Sequence, residues 1–176
     1  MTEQDHLENQ LDVNDLRCLH ETFRDETDRG AAIVGAAYLE ARLAELIGAF
    51  LTEEATKANG ELKWPLDTFG RSISVAHWMG LTSEDEHHDL KKISSIRNHF
   101  AHKGYELSFR DPDIAAECSR LRLWKPLSEL LNLDSARSQF LYTATALLQQ
   151  LGIRVLRAKR ERRVKPGEFK IAQIVR

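Results

Sequence analysis

Residues 97 to 102 of this 176-residue chain read Arg97-Asn98-His99-Phe100-Ala101-His102 and hold its most reactive combination of side chains. A histidine with an unperturbed pKa near 6.5 can take or give a proton close to neutral pH. When well placed, such a group contributes typically 10²- to 10⁴-fold to a reaction rate. Arg97 supplies a fixed positive charge and a planar fork that matches phosphate oxygens. Asn98, directly after it, can hold an oxygen or orient the histidine. This chemistry calls for no metal and no cofactor, and none is expected. His99 and His102 are three apart and could share a helix face with help from His87 or His88, but no cysteine or flanking carboxylate completes a recognisable metal site. Neither Cys18 nor Cys118 has a histidine at an interpretable spacing, and both read as buried thiols. Phosphate-loop, dinucleotide-binding and Gly-x-Ser-x-Gly patterns are absent.

The elements that must position these residues read as helices. Leu11, Leu16, Leu19 and Phe23 suggest a first helix ending near Arg24. Asp28 is a candidate cap for a stronger one, with Ile33, Val34, Ala37, Leu43, Leu46, Ile47 and Phe50 on its apolar stripe and Gly30, Gly35 and Gly48 allowing close approach of another backbone. A third helix runs from about Asp67 to a stop at Gly80. Thr82 or Ser83 should cap the next, with Glu84, Asp85 and Glu86 in its first turn and Leu90, Ile93, Ile96 and Phe100 facing inward. Residues 97 to 102 then fall at its C-terminal end, before Gly104. Tyr105 to Phe109 reads as an extended connector, Ile114 to Leu123 as a short helix, Leu127 to Leu133 as another turn or two, and about Asp134 through Arg160 as a long final helix. The expectation is an all-α fold: residues 1–160 form a single helical bundle of about six or seven helices, and 161–176 form a basic C-terminal tail.

Two resemblances bear on that bundle. Arg97-Asn98 followed by His102, with Ile96 before, Ala101 inside and Gly104-Tyr105 after, resembles the Arg-x(4 to 6)-His signature of the HEPN superfamily of metal-independent endoribonucleases and related toxins. The segment Asp28-Arg29-Gly30-Ala31-Ala32-Ile33-Val34-Gly35-Ala36-Ala37-Tyr38-Leu39-Glu40, with Phe69-Gly70-Arg71-Ser72-Ile73, Gly80-Leu81 and Arg97-Asn98 through Leu107-Ser108-Phe109, is similar to the mannitol operon repressor family, over roughly residues 28 to 123. Both resemblances imply a helical bundle. The first implies RNA cleavage, with His102 as acid/base on the ribose 2′-hydroxyl or the leaving oxygen, Arg97 stabilising the phosphate, Asn98 orienting, and a cyclic 2′,3′-phosphate product. The second implies a transcriptional regulator acting through protein or DNA contacts, although no DNA-reading helix pair is evident. On one uninterrupted helix Arg97 and His102 would diverge by about 140°. Either the helix ends between them or two copies of the motif meet across a two-fold axis, and a homodimer is the expectation.

Without those resemblances the motif reads as structural, with Arg97 paired to Glu84, Asp85 or Asp89 and His102 capping a helix end. Glu40, Arg42 and Glu45 read as solvated or interface charges, with Glu40 and Arg71 the candidates to reach the motif, and His77 and Trp78 as packing residues. Net charge is −2, but residues 154 to 176 hold nine bases and two acids, a local +7 against −9 for the remainder. A basic tail of this kind suits RNA or the acidic surface of a dimer partner, whereas an acidic body makes DNA the less favoured ligand. A regulatory protein or antitoxin is a further candidate partner. No apolar run spans a bilayer and Met1 to Gln10 is polar, so a cytoplasmic protein is expected.

Overall fold

The computed structural model describes residues 21, 23, 25–57, 68–103 and 107–167. Among them stand five α-helices and no β-strand: α1 (Asp28–Phe50), α2 (Phe69–Trp78), α3 (Glu84–His102), α4 (Pro112–Ser119) and α5 (Ala136–Arg160), with single 3₁₀ turns at Glu53–Ala55 and Lys125–Leu127. The all-α architecture is as the apolar periodicities require. The segment expected to form the first helix, apart from Glu21 and Phe23, lies outside the described residues, as do Tyr105 and Glu106 of the expected Tyr105–Phe109 connector.

Helix α1 is the central element, packed most extensively on α5 and then on α3 and α2. Its buried stripe is Ala32, Gly35, Ala36, Leu39, Leu43, Leu46 and Ile47, whereas Ile33 and Val34 are half-buried and Ala37 is exposed. Leu43, Leu46 and Ile47 are buried as expected, but in the first half of the helix the core face is rotated from Ile33, Val34 and Ala37 toward the small residues. The reason is the closeness of α5: a Cβ on Gly35 would sit 3.6 Å from the Phe140 ring. The expected α5 face, Phe140, Leu141, Ala144, Leu147, Leu148, Leu151 and Val155, is buried throughout.

Helix boundaries follow from local hydrogen bonding. Thr27, in extended conformation, caps α1 by accepting from Gly30 N at 3.0 Å, one residue before the expected Asp28. Asp28 is already helical, so its carboxylate is released for long-range work. It accepts from Phe109 N at 2.9 Å and pairs with Arg137, whose guanidinium also reaches the Glu26 and Phe23 carbonyls. The start of α1, the loop before α4 and the start of α5 are thereby tied at one point. Helix α2 ends in a Schellman turn: Gly80 has φ of +72°, Leu81 N donates to Ala76 O and Gly80 N to His77 O, both at 2.9 Å. Ser83 then caps α3 in a reciprocal box with Glu86.

Helix α4 stops at Ser119, four residues short of the expected Leu123. The fully buried Asp89 of α3 accepts the backbone N–H groups of Arg122 and Leu123, at 2.9 Å each, and so captures donors that a continuing helix would have used internally. Residues Leu127 to Leu133 form only turns, with Asn132 at φ of +50°. Helix α5 begins after Ser135, whose hydroxyl accepts from Ser138 N at 3.0 Å, and not after Asp134.

Candidate functional site

The C-terminal half of α3 carries Arg97, Asn98 and His102, and core packing fixes its direction. Leu90, Ile93, Ile96 and Phe100 are each fully buried. Phe100 lies 5.1 Å from Phe109, which lies 5.1 Å from Phe140, so an aromatic row anchors the helix end to α5. Burying such a side chain contributes on the order of 1.5 to 3 kcal/mol. The last carbonyls of α3 are capped by Arg29 of α1, whose guanidinium reaches Lys103 O at 3.3 Å and Ala101 O at 3.4 Å. The structural alternative for the motif gave this role to His102. Arg29 could have been found as a cation placed by the α1 start against the negative end of a neighbouring helix dipole.

The helix does not end between Arg97 and His102, for His102 is its final residue. On this continuous helix the two project about 140° apart, while Asn98 and His102, four residues apart, share a face within about 40°. Both are exposed. Arg97 points instead toward α1 and α2: its Nη2 lies 3.8 Å from Glu40 Oε2, with side chains 30% and 40% exposed, and its guanidinium stands 6.0 Å from the Phe69 ring centroid. Glu40 thus reaches the motif, one of the two candidates named for it. The expected partners of Arg97 are engaged elsewhere, Glu84 with His77, Asp85 with Arg122, and Asp89 with His88 and two backbone amides. His99 is half-buried and donates through Nδ1 to the Ser95 carbonyl at 2.9 Å. The structure therefore brings Asn98 and His102 together within one chain and leaves Arg97 apart from them.

The imagined metal set of His99, His102 and His87 or His88 does not assemble, since His87 lies 15 residues, or about 22 Å, up the helix from His102. His87 stacks on His77, with ring centroids 4.0 Å apart and planes within 3°. Burial first, then the neighbouring His77 and Lys91, holds the His87 imidazole below its ordinary 6.5. Trp78 is 79% exposed and does not pack as expected. Cys118 is fully buried and its thiol is pushed up to about 12 by burial, then by Glu117, so it is no nucleophile at neutral pH.

Part of the basic C-terminal segment is used within the chain. Arg162 bonds Gly48 O at 3.1 Å and pairs with Glu53 at 3.6 Å, Arg163 donates its backbone N–H to Phe50 O at 2.9 Å and covers the Phe50 ring, and Lys165 pairs with Glu54. No helix among the described residues is long and apolar enough to cross a membrane. Compared with known protein families, curated proteins and solved structures, the chain has no match.

Proposed function

We propose that this chain is a HEPN-like, RNA-directed protein acting as a two-fold homodimer, a metal-independent endoribonuclease of toxin or stress type. His102 moves the proton, Arg97 stabilises charge on the phosphate and Asn98 orients. The observation that carries this reading is the exposure pattern of the motif. Arg97, Asn98 and His102 all reach solvent, while Phe100 between them is core. A segment serving only packing would bury more than its phenylalanine.

Because Arg97 and His102 diverge on one helix, each pocket takes Arg97 from one copy and His102 from the other. Mixing Arg97→Ala and His102→Ala chains tests this. Random exchange makes half of the dimers mixed, each with one complete pocket, so about a quarter of wild-type cleavage returns. Absence of any restored cleavage in a verified mixed dimer refutes the shared pocket.

A second reading, a non-enzymatic regulator of the mannitol operon repressor type, is favoured by the Arg97–Glu40 pair, which partly neutralises the motif's cation within its own chain. It expects protein or promoter binding at physiological salt without RNA cleavage.

A further inference from the structure

At the opposite end of α3 from the motif, three metal-type donors converge. The Schellman turn at Gly80 folds the last turn of α2 back beside the first turn of α3. This sets His77, one residue before the end of α2, against Glu84 and His87, which lie three apart on one face of α3. One nitrogen of each imidazole and one carboxylate oxygen lie within 4.8 Å of one another. His77 Nε2 and Glu84 Oε1 are 3.2 Å apart. Donors held tetrahedrally at about 2.0 to 2.1 Å from zinc are roughly 3.3 Å apart, so this edge already has the required length. The other edges close by rotation of the Glu84 side chain, which is 82% exposed, and by a tilt of one imidazole out of the stack.

A further observation points to a ligand. His87 Nε2 is buried with no hydrogen-bond partner in the protein. A nitrogen buried in that way is costly unless something accepts its lone pair or proton.

We propose that His77, Glu84 and His87 bind one divalent transition-metal ion of the zinc type, clamping α2 to α3. Two imidazoles and one carboxylate suit zinc, cobalt, nickel or copper in preference to magnesium or calcium, and three protein ligands leave a fourth position for water or an incoming group. Lys91, one turn along α3, and His88 are the neighbouring charged or titratable groups. Lys91 is exposed and can swing away, and His88 is held by Asp89 at 3.0 Å. The site lies about 22 Å from His102 along the helix, so it is separate from the proposed RNA chemistry, which needs no metal.

The test is titration of the EDTA-stripped, dialysed full chain with Co²⁺, read by its visible absorption, followed by displacement with Zn²⁺. Wild type should bind one equivalent with the intense bands of a four-coordinate site, and Zn²⁺ should raise the melting temperature. His77→Ala and His87→Ala should each abolish the bands, Glu84→Gln should weaken binding, and His88→Ala should leave it intact, with helix content checked by circular dichroism. Glu84→Gln changes a solvated side chain and so retains the fold whatever the histidine variants do. Failure of wild type to bind either ion overturns the proposal. Undiminished binding by Glu84→Gln together with either histidine variant also overturns it.

Discussion

Asp89→Ala should cost more stability than any substitution of a surface charge in this protein. The Asp89 carboxylate is fully buried and accepts from Arg122 N at 2.9 Å, from Leu123 N at 2.9 Å and from His88 Nδ1 at 3.0 Å. Truncation leaves the two backbone amides without an acceptor, at about 1 to 3 kcal/mol each, and removes a charge-assisted contact to the imidazole. Some water reaches the exposed Arg122 side, so the expected total is about 3 to 4 kcal/mol. For a chain of this length each kcal/mol lowers the melting temperature by roughly 2 to 4 °C, giving a fall of about 6 to 16 °C. Asp89→Asn keeps one accepting oxygen and should lose about half as much. Thermal and urea unfolding followed by circular dichroism measure both. A fall below about 2 °C for Asp89→Ala would refute the claim that this carboxylate ends α4 and ties its loop to α3.

Three further outcomes follow from the same geometry. Glu40→Gln releases Arg97 from a half-exposed 3.8 Å pair, so a double-mutant cycle should show a coupling of only about 0.2 to 1 kcal/mol while RNA affinity rises, and weaker RNA binding would contradict the role given to Arg97. In a Cys18→Ser background, Cys118 should react with a thiol reagent at pH 8 only as fast as the protein opens, and rapid labelling of the native fold would contradict its burial. For Glu117, burial works to raise the pKa, but hydrogen bonding and attraction from Lys92, helped by Arg120, hold it below its ordinary 4.5. The stabilisation from that carboxylate is therefore present above about pH 4.5 and lost as pH falls through the lower folded value, and Lys92→Met should flatten this part of the melting-temperature profile.

The helices were legible because their signals are local. Leu90, Ile93, Ile96 and Phe100 keep helical spacing, Ser83 and Glu86 form a capping box, and Gly80 supplies the left-handed turn. What could not be read were features made by groups distant in sequence. The early end of α4 depends on Asp89, more than thirty residues away, and the rotation of the α1 face depends on the approach of Phe140 to Gly35. At the motif, the 140° divergence of Arg97 and His102 followed from helix geometry once the helix was continuous. The pairing of Arg97 with Glu40 and the capping by Arg29 required knowing which face of α1 meets α3. His77 reads as packing and His87 as a partner of the motif histidines, and their meeting with each other was not legible because they are ten residues apart across a turn.

The proposed function is tested most directly by incubating the purified chain with end-labelled RNA in EDTA beside His102→Ala. The account predicts that wild type alone cleaves, leaving cyclic 2′,3′-phosphate ends, while the variant keeps its fold and its dimer. Absence of cleavage by a wild-type dimer shown to be free of bound partners would contradict it, and equal cleavage by His102→Ala would remove the histidine from the mechanism.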